Sequence, residues 1–214
     1  MTKRVARCTW ASKGARNPPD LATVLIHDEA INDITWSHHL LAEDLLSLAD
    51  FSLFPGSVRS LIDDPTKALQ SEIEQDRSIF AWSQYEADVL RPLLTEDDRW
   101  IADEIENARK VAERWLRRTD PGHQIFGRPR GKRHRLIYYL DLIGYDPVDP
   151  EFQPATGINE MRRELREVEG YLMAVSEKVM DMWRMTLARN YRDCEGMREV
   201  MLRVAEDNPF EIGN

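Results

Sequence analysis

From Ile158 to Thr186 the apolar or small positions are Ile158, Met161, Leu165, Val168, Leu172, Val175, Val179, Met182 and Thr186, in strict steps of three and four. That is a heptad seam held for four repeats. Glu160, Arg162, Arg163, Glu164, Arg166, Glu167, Glu177 and Lys178 fill the positions between, as on a solvated face. The pattern predicts one long amphipathic helix, or a helix pair, over residues 157–208. Its stripe from Ile158 to Met182 offers a surface for self-association or for a partner helix, unless the chain's own helices cover it. Gly170 weakens the seam. Beyond Thr186 the apolar positions shift to Leu187, Tyr191, Cys194, Met201 and Val204, and Pro209 stops the helix.

Upstream, the same periodicity predicts a mostly helical body over residues 20–145. Ser37 to Asp50 reads as a helix with Leu41, Leu45 and Leu48 inward, and Ser57 to Ile62 as a short helical stretch. Asp64-Pro65 starts a helix that runs to about Arg91, where Pro92 interrupts. Thr95 caps another, with Ile101, Ile105, Ala108, Ala112 and Trp115 on one face. Arg135 to Ile143 reads as a helix closed by Gly144. Residues 21–27 fit a strand of β-branched side chains as well as a helix, and Arg7 to Trp10 fits a short strand. A Pro-rich joint over residues 146–156 precedes the C-terminal helix. The expected fold class is all-α, with at most a short strand or two near the N-terminus.

Composition narrows the class and leaves the activity open. The chain has 214 residues, 42% hydrophobic and 31% charged, enough for one sizeable core. No apolar run approaches a membrane span, and none of signal-peptide length follows the N-terminus, so no membrane contact and a cytoplasmic setting are expected. Cys8 and Cys194 are far apart and in no metal spacing, which suits reduced thiols.

Charge changes the picture more, because it is segregated. Residues 1–19 carry five basic side chains and no acid, as in a basic arm. Residues 20–108 carry twenty acids against five bases, residues 109–135 ten bases against two acids, and residues 136–214 sixteen acids against nine bases. The third block holds the most informative polar stretch, the loop 127–135. There Arg128, Arg130, Lys132, Arg133 and Arg135 lie between and beyond two glycines, with Arg117 and Arg118 upstream at a helix end. Arginine forks match phosphate oxygens, and dense positive charge releases counterions from a nucleic-acid backbone. The competing partner is the chain's own acidic block or that of another protein.

Catalytic chemistry finds little support. His27, Asp28, Glu29, His38, His39 and Glu43 are the only cluster of metal-ligand types, with His39 and Glu43 spaced to share a helix face. A bundle site would need a second such helix, so no metal or other cofactor is assigned and no residue is named as catalytic. The central acids suggest at most a small all-α metal-dependent enzyme acting on nucleotides. The expectation is a non-enzymatic helical assembly or adaptor protein. It would associate through its C-terminal helix and contact a polyanion, DNA or RNA, through the basic loop. The alternative is an acidic protein-binding adaptor or inhibitor with no nucleic-acid contact.

Overall fold

Leu21–Asp28 is a strand because almost every side chain in it is buried. A sheet covered on both faces removes the polar alternation that would otherwise mark a strand, and leaves a continuous apolar run. The computed structural model describes residues 5–11, 20–28, 33–50, 57–60, 63–124, 135–146 and 154–207. Among them six strands, β1 (Val5–Ala11), β2 (Leu21–Asp28), β3 (Asp33–Leu40), β4 (Ser57–Ser60), β5 (Ser78–Ala81) and β6 (Ile105–Asn107), form one sheet in the order β4-β3-β2-β1-β5-β6. Strand β2 pairs antiparallel with both β1 and β3, while the pairs β3–β4, β1–β5 and β5–β6 are parallel. Five strands therefore point one way and β2 the other.

The chain is mostly helical and has the long C-terminal helix expected of it, but the expectation of at most a short strand or two near the N-terminus is corrected to a six-stranded sheet. Residues 5–11, read as part of a basic arm with a short strand over Arg7 to Trp10, form a longer strand inside the sheet. The helix expected from Ser37 is strand to Leu40, followed by a 3-10 helix over Glu43–Asp50. Ser57–Ser60 is strand, not helix. The two long central helices are each interrupted by a short parallel strand. Helix α1 (Asp63–Glu74) ends before β5, and α2 (Gln84–Leu90) follows it. Helix α3 (Trp100–Asp103) ends before β6, and α4 (Ala108–Thr119) follows. Helix α5 (Leu136–Ile143) ends as anticipated at Gly144, which has φ +70°.

The C-terminal heptad seam is folded back on itself. Helix α6 (Pro154–Glu167) and the 31-residue α7 (Glu177–Asp207) are joined by a turn in which Glu169 and Gly170 both take positive φ. The Gly170 N–H closes α6 on the Leu165 carbonyl at 2.7 Å. Glu164 then accepts from the Ser176 N–H and hydroxyl, each at 2.7 Å, which ties the start of α7 to α6. Ile158, Met161, Leu165, Val175 and Val179 are buried together with Leu21, Leu40, Leu45, Leu48, Trp183 and Leu187. Val168 and Leu172 pack partly against the same cluster, and Met182 is half-buried. Of the two partners open to the stripe, another chain or the chain's own elements, the second covers it: the sheet and helices of the same chain pack over these side chains.

Three layers result. On one sheet face, Val24, Ile79, Ala81 and Ile105 pack against Leu69, Ala87, Leu90 and Ile101 from α1, α2 and α3. On the other, α7 crosses the strands. Its N-terminal half meets α6 and the 3-10 helix; its C-terminal half meets Phe80, α4 and α5 through Met197, Val200, Met201 and Val204. The α6–α7 crossing is close because Gly157 faces Thr186. A Cβ at Gly157 would stand 2.1 Å from Thr186 Oγ1 and 2.8 Å from the Met182 carbonyl oxygen. Gly157→Ala is therefore expected to destabilise the fold by about 1–3 kcal/mol, the usual cost of overpacking. Urea unfolding of the variant measures it, and an unchanged midpoint would mean that the two helices are not in contact there.

Candidate binding groove

Strand geometry sends Trp36 and His38, two residues apart on β3, toward the same sheet face, where α7 lies across them. Helical spacing brings Leu187, Tyr191, Arg192 and Glu195 to the matching face of α7. Between them is a groove of about 450 Å³ lined by these six side chains and Ala188. That volume lies within the range of small-molecule sites, whereas the cavity of about 220 Å³ between α1 and the segment Leu93–Asp98 falls below it.

The wall is aromatic. Trp36 packs edge-on to His38 with ring centroids 5.0 Å apart, and against Tyr191 at 4.8 Å with a 49° tilt. His38 Nδ1 lies 2.7 Å from the Thr23 hydroxyl on β2. Burial, with a smaller contribution from neighbouring His39, holds the His38 imidazole down to about 3, so it is neutral at ordinary pH. The rim is polar and ordered. Glu195 Oε2 accepts from Tyr145 at 2.6 Å and from Arg192, and Oε1 accepts a longer bond of 3.3 Å from Tyr191. Burial alone would raise the Glu195 carboxyl, but the bonds from Tyr145 and Arg192 outweigh it and keep the carboxylate ionised. Burial and the adjoining carboxylate push Tyr145 up to about 12, so it stays a hydrogen-bond donor. The groove thus presents two aromatic rings, a neutral imidazole, a fixed carboxylate and a fixed guanidinium.

A second polar cluster sits at the carboxyl ends of β5 and β6. Ser83 and Glu86 form a reciprocal capping box at the start of α2, and Asn107 caps α4 by accepting from the Lys110 N–H at 3.0 Å. The Arg109 N–H donates to the Trp82 carbonyl at 3.2 Å, joining the two helix starts. Burial raises the Glu86 carboxyl, opposed mainly by its bond from Ser83. Ser83, Glu86 and the Asn107 side-chain carbonyl serve to start the helices, while Asn107 Nδ2 and Arg109 Nε are buried with no hydrogen-bond partner among the described residues.

Of the residues singled out from the sequence, Arg117 and Arg118 are exposed at the end of α4 and Arg135 is exposed at the N-cap of α5. Arg128, Arg130, Lys132 and Arg133 lie outside the described residues. Helix α5 connects this basic stretch to the groove: its eight residues span about 12 Å between Arg135 and the turn that carries Tyr145 to the rim. His39 and Glu43 do not share a helix, because His39 belongs to β3 and its Nε2 lies 2.8 Å from the Ser37 hydroxyl. Among the described residues no group of three or more His, Cys, Asp or Glu is arranged to hold a metal ion, and no helix is long and apolar enough to cross a membrane. Of the groove residues, His38 stood out in the sequence only as one of a group of metal-ligand types, and Leu187 and Tyr191 only as apolar helix positions, while Trp36, Arg192 and Glu195 went unselected. Trp36-Ser-His38 has strand spacing and Tyr191, Arg192 and Glu195 have helix spacing, but nothing local joins the two sets.

Burial of His38 carries a pH consequence. The unfolded chain takes up this proton near 6.5 and the folded chain only near 3, so the unfolded state binds more protons in that window. Stability is expected to fall as pH drops from about 6.5 toward about 3, by up to roughly 1.4 kcal/mol per pH unit from this group. His38→Gln removes that contribution. Urea midpoints of both proteins across the window should converge toward acid pH, and parallel curves would show that His38 protonates freely.

No protein-family model, curated protein or solved structure matches the chain.

Proposed function

We propose that this protein is a non-enzymatic nucleic-acid-binding module that stacks a base of a single strand in the β3–α7 groove and holds neighbouring phosphates with the basic stretch ending at Arg135. The observation that carries this reading is the Trp36–Tyr191 wall, which opens into about 450 Å³ beside Arg192 and Glu195. Aromatic faces take any base, and single-strand binders combine such platforms with positive charge along the backbone path. Arg135, Arg117 and Arg118 are exposed on the helices next to α7, and Arg128, Arg130, Lys132 and Arg133, just before Arg135 in the sequence, add further charge. Self-association through the heptad seam is not part of the proposal, since Ile158, Met161, Leu165, Val175 and Val179 are core side chains. One observation favours a second reading, a protein-binding adaptor: Tyr171 and Met173, in the turn between α6 and α7, are 67% and 75% exposed.

Fluorescence anisotropy with short labelled DNA and RNA strands, read across a salt series, separates the two. Binding should weaken steeply with salt, and replacing Arg128, Arg130, Lys132, Arg133 and Arg135 by Ser should flatten that slope. Trp36→Ala or Tyr191→Ala should weaken binding by about five- to a hundredfold through lost stacking, with circular dichroism to establish that each variant is folded. Absence of binding at low salt overturns the proposal and leaves the adaptor reading.

A further inference from the structure

We infer that the groove prefers RNA to DNA by taking one ribose 2′-hydroxyl between Glu195 and Arg192; this deepens the base-stacking role proposed above and rests on it. The bonds already made leave the Glu195 carboxylate open to one donor and no more. Its Oε2 accepts from Tyr145 at 2.6 Å and from Arg192, and its Oε1 accepts from Tyr191 at 3.3 Å. With about two acceptor positions on each carboxylate oxygen, Oε2 is filled and Oε1 keeps one. Arg192 is bonded to Glu195 and Tyr145, and a guanidinium has five N–H donors, so donors remain beside that acceptor. A hydroxyl matches the pair, because it gives one hydrogen bond and accepts others through the same oxygen.

The path of the backbone sets a sugar, rather than a base edge, at this rim. A base lies against Trp36 and Tyr191, with His38 buried behind them at 1% exposure, whereas the Glu195 and Arg192 side chains stand at the mouth, 22% and 42% exposed. Phosphates leave the groove toward positive charge, which begins at Arg135 and is joined by α5 to the Tyr145 rim. A strand that turns one base inward and runs out along α5 carries its sugar past Glu195 and Arg192. Deoxyribose has no hydrogen-bonding group at the 2′ position. Seated there, DNA displaces water from an ionised carboxylate and supplies no donor in exchange, which is costly for a charged group. The 2′-hydroxyl is the group by which a protein tells the two polymers apart. Bonds from Tyr145 and Arg192 fix the Glu195 carboxylate before ligand arrives, so binding has little side-chain ordering left to supply.

The test is fluorescence anisotropy of the intact protein at one low salt concentration with labelled adenine, cytosine and uracil homopolymer strands, each made with ribose, deoxyribose and 2′-fluororibose. Ribose strands should bind about tenfold tighter or more than deoxyribose strands of the same base, the worth of a hydrogen bond to a charged group. The 2′-fluoro strands, which keep a ribose-like pucker but have no 2′ donor, should bind like DNA. Glu195→Ala should weaken RNA more than DNA and close the gap, whereas damage to the fold would weaken both alike. Trp36→Ala should weaken both polymers and leave the gap in place. Equal affinities for RNA and DNA, a gap confined to one base, or a gap that survives 2′-fluoro substitution or Glu195→Ala overturns the ribose assignment. Should that happen while binding still depends on Trp36, the stacking role stands and the assignment alone is refuted. Strands that bind independently of Trp36, or no binding of any strand, would refute the groove itself.

Discussion

Helix α7 has one buried stripe and two different surfaces to cover it, and the rest of the architecture follows from that constraint. Its buried positions run from Val179 through Trp183, Leu187 and Cys194 to Met197, Met201 and Val204 over a length of about 38 Å at 1.5 Å per residue. No single neighbour is that long. The first half is covered by α6 and by the 3-10 helix after β3, the second by α4, α5 and Phe80. In the middle the helix lies directly on the sheet, where the Cys194 thiol donates to the Thr23 carbonyl at 3.5 Å and Arg198 reaches His27 at 3.3 Å. The groove occurs where coverage changes hands. Between the α6 contact and the α5 contact, Tyr191 meets Trp36 of β3 and Glu195 meets the Tyr145 rim, and the space beside them stays open.

The same constraint explains which parts of the fold were legible in the sequence. The apolar steps of three and four across residues 158–186 correctly mark side chains that need cover, and they are covered. What the steps do not reveal is the direction of the chain. Gly170 sits inside the seam at a position where φ +81° is adopted without strain, so the chain reverses there and two halves of one stripe come to face each other and the sheet. Local periodicity reports burial; the handedness of one glycine decides between a long exposed stripe and a helical hairpin.

Strands at residues 7–10 and 21–27 were open possibilities in the sequence, and the sheet as a whole was obscured for two reasons. In β2, burial on both faces removes alternation. In β5 and β6, three or four residues are too few to disturb the helical pattern around them. Ile101, Ile105, Ala108 and Ala112 are all buried, as a helix face would be, yet Ile105 lies on a strand between two helices. The cap residues are more informative in retrospect. Ser83-Gln-Tyr-Glu86 is a capping box and begins α2 directly after β5, and Asn107 begins α4 directly after β6. Each cap marks a helix start inside what periodicity alone reads as one continuous helix. The groove was less accessible still. Trp36 and Tyr191 meet across 155 positions of sequence, and their contact depends on the sheet register that sets β3 beside β2 and β2 beneath α7.

On the proposed reading, the electrostatics of the groove divide recognition into separable parts. Arg192 is paired with Glu195, and His38 is neutral, so the groove itself carries no excess positive charge for a phosphate. Attraction to a polyanion has to come from elsewhere, and the block 109–135, with ten bases against two acids, is the strongest such source in the chain. Stacking and hydrogen bonding in the groove are short-range and respond weakly to salt, whereas attraction by the basic block is screened within about 8 Å at physiological ionic strength. Charge in the basic block and stacking in the groove would therefore act on affinity with different dependences on salt. A ligand engaging both surfaces gains more than the sum of weak parts only if α5 holds them at a fixed separation, and the Gly144 cap, the Tyr145–Glu195 bond and Leu140 packed against Gly196 anchor that helix to α7.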